Sequence, residues 1–181
     1  SACPTTAGIP HSGFTDVAAG SFFDSAVNCL KYYGVTQGVT ATTYAPADDV
    51  TRAQMAVFLA RSAAAAGVTL AASPPDAGFT DIGGLSAEAQ LAINQLADAG
   101  VVQGTSSTTY SPAAVVSREH MALFLTRFLG NAIVGPGGTA LSGAATSGSP
   151  FTDIAGTTFE AHKAIAQIWD LGVTTGTTAT T

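Results

Sequence analysis

Two arginines stand where an arginine is electrostatically misplaced. The stretch Thr51-Arg52-Ala53-Gln54-Met55 reads as the start of a helix. It returns 66 residues on as Ser117-Arg118-Glu119-His120-Met121. Thr51 and Ser117 each bring a hydroxyl that accepts from an unpaired N–H of the first turn. Gln54 completes a capping box with Thr51, and His120 leaves the second one incomplete. A helix N-terminus carries partial positive charge, so Arg52 and Arg118 are each disfavoured there by about 0.3 kcal/mol. Such an arrangement asks for an anion, either an acidic side chain or a ligand. For Arg52 the nearby acids are Asp48 and Asp49. For Arg118 they are Glu119 or an aspartate from elsewhere in the chain. Arg61 and Arg127, nine residues further on, fall near the helix ends, where a cation is favoured and only a structural role is required.

Other chemistry is thin. No Ser/His/Asp or Cys/His grouping recurs at a telling spacing, and no pair of carboxylates stands out for glycoside chemistry. His11, His120 and His162 share no motif, so neither a metal site nor a cofactor is expected. The chain reads as a non-enzyme. Cys3 and Cys29 are the only cysteines, and an even count in an exported chain suggests a disulfide. The alternative is two buried thiols.

Composition narrows the partners. Six cations against twelve acids give a formal net charge of −6, which argues against sequence-independent nucleic-acid binding. Only 10% of the residues are charged and Ala, Thr, Gly and Ser abound, a composition that suits an exported, wall-associated protein. No apolar run approaches the ~18 residues of a membrane span. Ser1-Ala2-Cys3 would suit a terminus left after signal-peptide removal, or equally the start of an expressed fragment.

Positioning the arginines is the task of a repeat. Phe14-Thr15-Asp16-Val17 opens a first unit. A short amphipathic helix marked by Phe23, Ala26, Val27 and Leu30 follows and ends at Gly34. Next come Gly38, a turn at Tyr44-Ala45-Pro46, and the helix behind Thr51, which stops at Gly67. Phe79-Thr80-Asp81-Ile82 reopens the pattern, with Ile93, Leu96, Gly100, Gly104, Tyr110 and Pro112 in the corresponding places. Phe151-Thr152-Asp153-Ile154 opens it again, with Ala164, Ile165, Ile168, Gly172 and Gly176. The sequence closes at Thr181, in register with Thr109, so its third unit shows one helix. The expected organisation is an N-terminal arm over 1–13, units over 14–67 and 79–130, and a partial unit over 151–181. Linkers are expected at 68–78 and at the Gly/Ala/Ser-rich 131–150. Helices are expected near 22–33, 51–65, 87–98, 117–129 and 159–170, the two arginine helices side by side. Each helix is short and one-sided, so no unit buries its apolar face alone.

The ordered combination of Phe-x-Asp-aliphatic, Gly-x-x-x-Gly, Tyr-x-Pro and Thr/Ser-Arg resembles the S-layer homology family of bacterial cell-surface modules. The resemblance covers about 130 of the 181 residues. It implies a mainly α fold, with tandem helix–loop–helix modules in a pseudo-threefold prism around a central helix bundle. It also implies secretion, a place at the cell surface or cell wall, and binding of an anionic wall polysaccharide, often pyruvylated. The family's recurrent ligand is the arginine of its Thr-Arg-Ala-Glu motif. Carried over, the glycan-binding set is Arg52, Arg118, Thr51, Ser117, Gln54, Asp16 and Asp81. A guanidinium fork at a helix N-terminus suits a carboxylate. For the three aspartates, Asp16, Asp81 and Asp153, the plainer reading is that they cap or order the turn after the phenylalanine. Trp169 reads as core rather than sugar platform. This sequence departs from the family pattern in having Gln54 and His120 in place of glutamate, and no tryptophan shortly after the opening aspartates.

A second function class is a structural subunit of an extracellular layer or filament, built by contacts between copies. Its motive is the stripe Ile165, Ile168 and Leu171. In the first two units the equivalent stripe is expected against the arginine helix of the same unit, so here it is expected to need cover from another copy or from residues past Thr181.

Overall fold

The computed structural model describes residues 8–132, 149–178 and 181. Five α-helices carry it: α1 (Asp24–Tyr32), α2 (Arg52–Ala65), α3 (Ala87–Asp98), α4 (Arg118–Arg127) and α5 (Phe159–Asp170). α4 runs on into a π-helical turn, Phe128–Ala132. Among the described residues the β structure is a single antiparallel bridge between Thr51 and Val115. The fold is mainly α, and the helices lie within about two residues of their expected bounds.

The local signals act as the residue types require. Thr51 accepts from the Gln54 N–H and Gln54 Oε1 accepts from the Thr51 N–H, a reciprocal capping box. Ser117 caps α4 through the His120 N–H alone. Ser86 and Thr158 cap α3 and α5 in the same way. Behind Gly34, the Val35 N–H reaches the Leu30 carbonyl and the Gly34 N–H reaches that of Lys31. The left-handed φ of +70° at Gly34 makes this ending possible.

All three repeats share one close approach. A Cβ built on Gly38 would lie 2.5 Å from the Phe14 ring, on Gly104 2.6 Å from Phe79, and on Gly176 2.5 Å from Phe151. Each opening phenylalanine therefore needs the glycine of its own loop, about 25 residues on. Asp16 and Asp81 do more than order the turn beside them. Asp16 accepts from the Tyr44 and Ala45 N–H groups, and Asp81 from those of Tyr110 and Ser111. Those turns carry Ala45 and Ser111 at a φ of +58°, a strained conformation that the carboxylates hold in place.

Helix pairing is offset from the sequence repeat. α2 of the first repeat packs on α3 of the second, and α4 of the second packs on α5 of the third. α1 has no comparable helix partner among the described residues. The main core joins Met55, Ala56, Leu59 and Ala63 of α2 to Ala92, Ile93 and Leu96 of α3, and adds Val101, Tyr110, Phe124 and Phe128. Each large side chain fully buried here contributes about 1.5–3 kcal/mol. The arginine helices α2 and α4 meet through this core and through the Val116 N–H bonded to the Val50 carbonyl. Their close helix partners are α3 and α5, not each other.

The expected partner of the α5 stripe is corrected as well. The stripe on α5 lies against α4 of the preceding repeat, not against a helix of its own. Ile168 is buried with Ala122 and Ala164, and Ile165 packs beside them; of the three, only Leu171 is exposed. The 68–78 linker is pinned down. Val68 and Leu70 pack on the main core, Gln95 donates to the Ala71 carbonyl, and Asn94 accepts from the Ala77 N–H. In the arm, the Ser12 N–H bonds Asn28 Oδ1, and His11 approaches Asp24 at 3.6 Å. Cys29 is buried on α1; Cys3 lies outside the described residues, as does most of the 131–150 linker.

Candidate functional site

The two cap arginines have opposite environments. Arg52 is 5% exposed. Its Nε donates to the Tyr110 carbonyl at 2.9 Å and its Nη2 to the Gln103 carbonyl at 2.6 Å. The guanidinium lies 4.7 Å from the Tyr110 ring centre and 5.3 Å from that of Phe124. Tyr110 returns a bond from its hydroxyl to the Arg52 carbonyl. The free N–H groups of α2 are also taken, that of Arg52 by the Ala114 carbonyl and that of Ala53 by the Pro112 carbonyl. The anion demanded by the sequence is thus met by four backbone carbonyls and two π faces of the next repeat. Neither Asp48 nor Asp49 pairs with Arg52.

Burial pushes the Tyr110 phenol up to about 12, although the charge of Arg52 pulls it down. Hydrogen bonds from the Tyr110 and Ser111 N–H groups hold the Asp81 carboxyl below the usual aspartate value, and those from Tyr44 and Ala45 do the same for Asp16. Both aspartates serve the turns, and both are largely exposed. Thr51 and Gln54 are engaged in the capping box.

Arg118 is exposed. Its guanidinium has no hydrogen bond or ion pair among the described residues. It borders a cavity of about 380 Å³ between the start of α4 and the third repeat, also lined by Ser117, Glu119, Asp153, Thr157 and Thr174. The floor is apolar, with Met121, Leu125, Phe151, Ile165 and Ile168. Around Arg118 no carbonyl among the described residues accepts the Arg118 or Glu119 N–H, so the first turn of α4 is open to the cavity. A guanidinium and a helix N-terminus facing one groove can hold a carboxylate or another compact anion. A second cavity of about 370 Å³ lies between the Tyr44 turn and α2, lined among others by Asp48, Asp49, Gln54, Arg61 and Ser86.

Arg61 and Arg127, given only a helix-end role from the sequence, form ion pairs between neighbouring repeats. Arg61 forms a two-pronged pair with Glu88 at 2.8 and 2.9 Å, and Arg127 meets Glu160 at 2.6 and 3.0 Å. Glu88 and Glu160 lie 72 residues apart, the same offset that relates the second and third repeats, and that was the signal available. Trp169 is partly buried. Among the described residues no group of three His, Cys, Asp or Glu is placed to hold a metal, and no helix is long and apolar enough to cross a membrane.

The sequence has known relatives. Residues 13–56 and 78–122 match the S-layer homology domain. Over 114 residues the chain is 34% identical to an endoglucanase of Bacillus sp. (strain KSM-635). The alignment takes in 63% of this chain and 11% of the endoglucanase, so the chain spans about a tenth of that relative's length.

Proposed function

Because the chain belongs to the S-layer homology family, with one domain at 13–56 and a second at 78–122, we propose that it is a non-catalytic wall-binding module. It would hold a secreted polypeptide at the bacterial cell surface by binding wall polysaccharide. Domains of this family associate proteins with the cell surface, and the matched endoglucanase shares only this small part of its length with the chain. The single observation that carries the finer reading is the exposed Arg118 beside the open first turn of α4, bordering a cavity of about 380 Å³. In this reading Arg118 and Ser117 hold an acidic substituent, such as the carboxylate of a pyruvylated sugar, and the apolar floor takes a sugar face. Arg52, Thr51, Gln54, Asp16 and Asp81 serve the fold and do not line this groove. The other reading, a layer or filament subunit, loses its motive because α4 covers Ile165 and Ile168.

Pull-down on purified wall polymer, with and without its acidic substituents, tests the reading. Arg118→Ala should cut retention on the substituted polymer about tenfold or more, as expected for a lost charge-assisted hydrogen bond of about 1.5–3 kcal/mol. Arg127→Ala should change it little. Equal retention of Arg118→Ala and the unaltered protein would remove Arg118 from the site.

A further inference from the structure

A further cavity, of about 360 Å³, lies wholly within the second repeat and shares no lining residue with the groove at Arg118. Asp76, Gln90 and Asn94 are among its polar lining, and Pro74 and Phe79 among its apolar lining. Backbone groups fix which way the two amides turn. The Ala77 N–H can only donate, so Asn94 turns its oxygen to it, at 3.1 Å. The carbonyls of Leu85 and Gly83 can only accept, so Gln90 turns its NH2 group to them, at 2.8 and 3.4 Å. Asp76 Oδ1 accepts from the Gly78 N–H at 2.9 Å. The Asn94 NH2 group, Gln90 Oε1 and Asp76 Oδ2 are then without a protein partner among the described residues, all three on residues that line one cavity.

The first repeat closes the same place. Asn28 stands where the second repeat has Asn94, Asp24 where it has Gln90, and His11 where it has Asp76. Asn28 Oδ1 accepts from the Ser12 N–H, as Asn94 accepts from Ala77, but the Asn28 NH2 group donates to Asp24 at 2.7 Å. The other Asp24 oxygen accepts from the Gly20 N–H, and His11 approaches the first at 3.6 Å. The third repeat has Ala166 and His162 at two of these positions. The open set therefore belongs to the second repeat and is not a requirement of the repeat fold.

We propose that this cavity is a subsite for a neutral sugar, held by two adjacent hydroxyl groups. A hydroxyl both donates and accepts, and the cavity offers both kinds of partner. One sugar hydroxyl would donate to Asp76 Oδ2 and the next to Gln90 Oε1, while the Asn94 NH2 group donates to a hydroxyl oxygen. The C–H face of the ring suits the Phe79 and Pro74 side chains. An acidic substituent is repelled by Asp76. A single carboxylate with an amide donor beside it is a poor cation site, because a hard cation wants several oxygens and no N–H. The cavity thus complements the groove at Arg118, whose cation suits an acidic group. The proposal rests on the wall-polysaccharide reading for the source of the sugar, and on the three unpartnered atoms for its chemistry.

The test is an NMR titration of the isotope-labelled whole chain with the methyl glycosides of glucose, mannose and N-acetylglucosamine. Saturable shifts of the Asn94 side-chain NH2 signals are expected with at least one of them. Asn94→Asp keeps an acceptor for the Ala77 N–H and removes the donor, and should weaken binding about fivefold or more, the size of one hydrogen bond. Asp76→Asn keeps an oxygen for the Gly78 N–H and removes the free carboxylate oxygen, and should weaken it comparably. Backbone amide spectra check that both variants keep the fold. Arg118→Ala should leave binding of the glycosides unchanged. No shift with any of the three, or unchanged binding in both variants, would overturn the proposal. A stronger response of the same signals to calcium chloride would overturn it in favour of a cation. Retention on wall polymer is not the readout, so failure here leaves the Arg118 reading untouched.

Discussion

Arg52 and Tyr110 clasp each other across two repeats. The arginine donates to the tyrosine's carbonyl at 2.9 Å and lies on its ring, and the tyrosine hydroxyl donates to the arginine's carbonyl at 3.1 Å. Both residues are buried. The clasp joins the N-terminus of α2 to a turn of the next repeat and closes the main core at that end.

Arg52→Met is expected to destabilise the protein by about 1.5–3 kcal/mol, because the Tyr110 and Gln103 carbonyls lose a charged donor. Arg118→Met should leave the unfolding midpoint in urea within error. Chemical denaturation of the two variants compares them directly; an equal loss would mean that Arg118 is as structural as Arg52.

The pairs Arg61–Glu88 and Arg127–Glu160 have good geometry, but their carboxylate side chains are 55% and 61% exposed. Solvent screening limits each to about 0.2–1 kcal/mol. A double-mutant cycle on Arg61 and Glu88 should give a coupling in that range, shrinking in high salt. A coupling of several kcal/mol would mean that the pair organises the α2–α3 joint rather than decorating it.

Backbone hydrogen bonds lower the pKa of Asp81 and of Asp16 in the folded protein below the ordinary 3.8. A group whose folded pKa is depressed adds stability above its unfolded pKa and loses it as pH falls through the folded value. Their contribution is therefore present above about pH 4 and fades below 3.8. NMR titration should place both carboxyls under 3.8, and Asp81→Asn should flatten the acid limb of the stability curve. Unshifted titration would show that the turn N–H groups are held by something else.

Ile168→Asp is expected to loosen α4 from α5, since Ile168 is 5% exposed between them and an unpaired carboxylate resists burial. The loss should appear as reduced amide protection in α5 within a chain of unchanged mass. A fall in oligomer size with α5 still protected would restore the assembly reading of that stripe.

Cys3 and Cys29 are expected to be bonded to each other when the protein is kept under oxidising conditions. Thiol labelling in denaturant without reductant should find no reactive thiol; two labelled cysteines would dismiss the bridge.

The sequence by itself determined the helices, their caps and the repeat. Those features depend on neighbours within a few residues, or on a pattern that recurs at a fixed offset. Ser and Thr at the caps, glycine at the helix ends and apolar spacing near 3.6 are local causes with local effects. The sequence also marked Arg52 and Arg118 as needing a counter-charge, and the same local argument rated them alike. Among the described residues, the tertiary structure separates them. Whether a guanidinium is buried on a tyrosine or open to a groove depends on which distant turn reaches it, and residues 58 apart along the chain decide that. The partners of Asp16 and Asp81 were hidden for the same reason, nearly 30 residues away. Tertiary packing also set the offset pairing of α2 with α3 and α4 with α5. An amphipathic stripe states that a face must be covered, but its periodicity is the same whichever helix covers it.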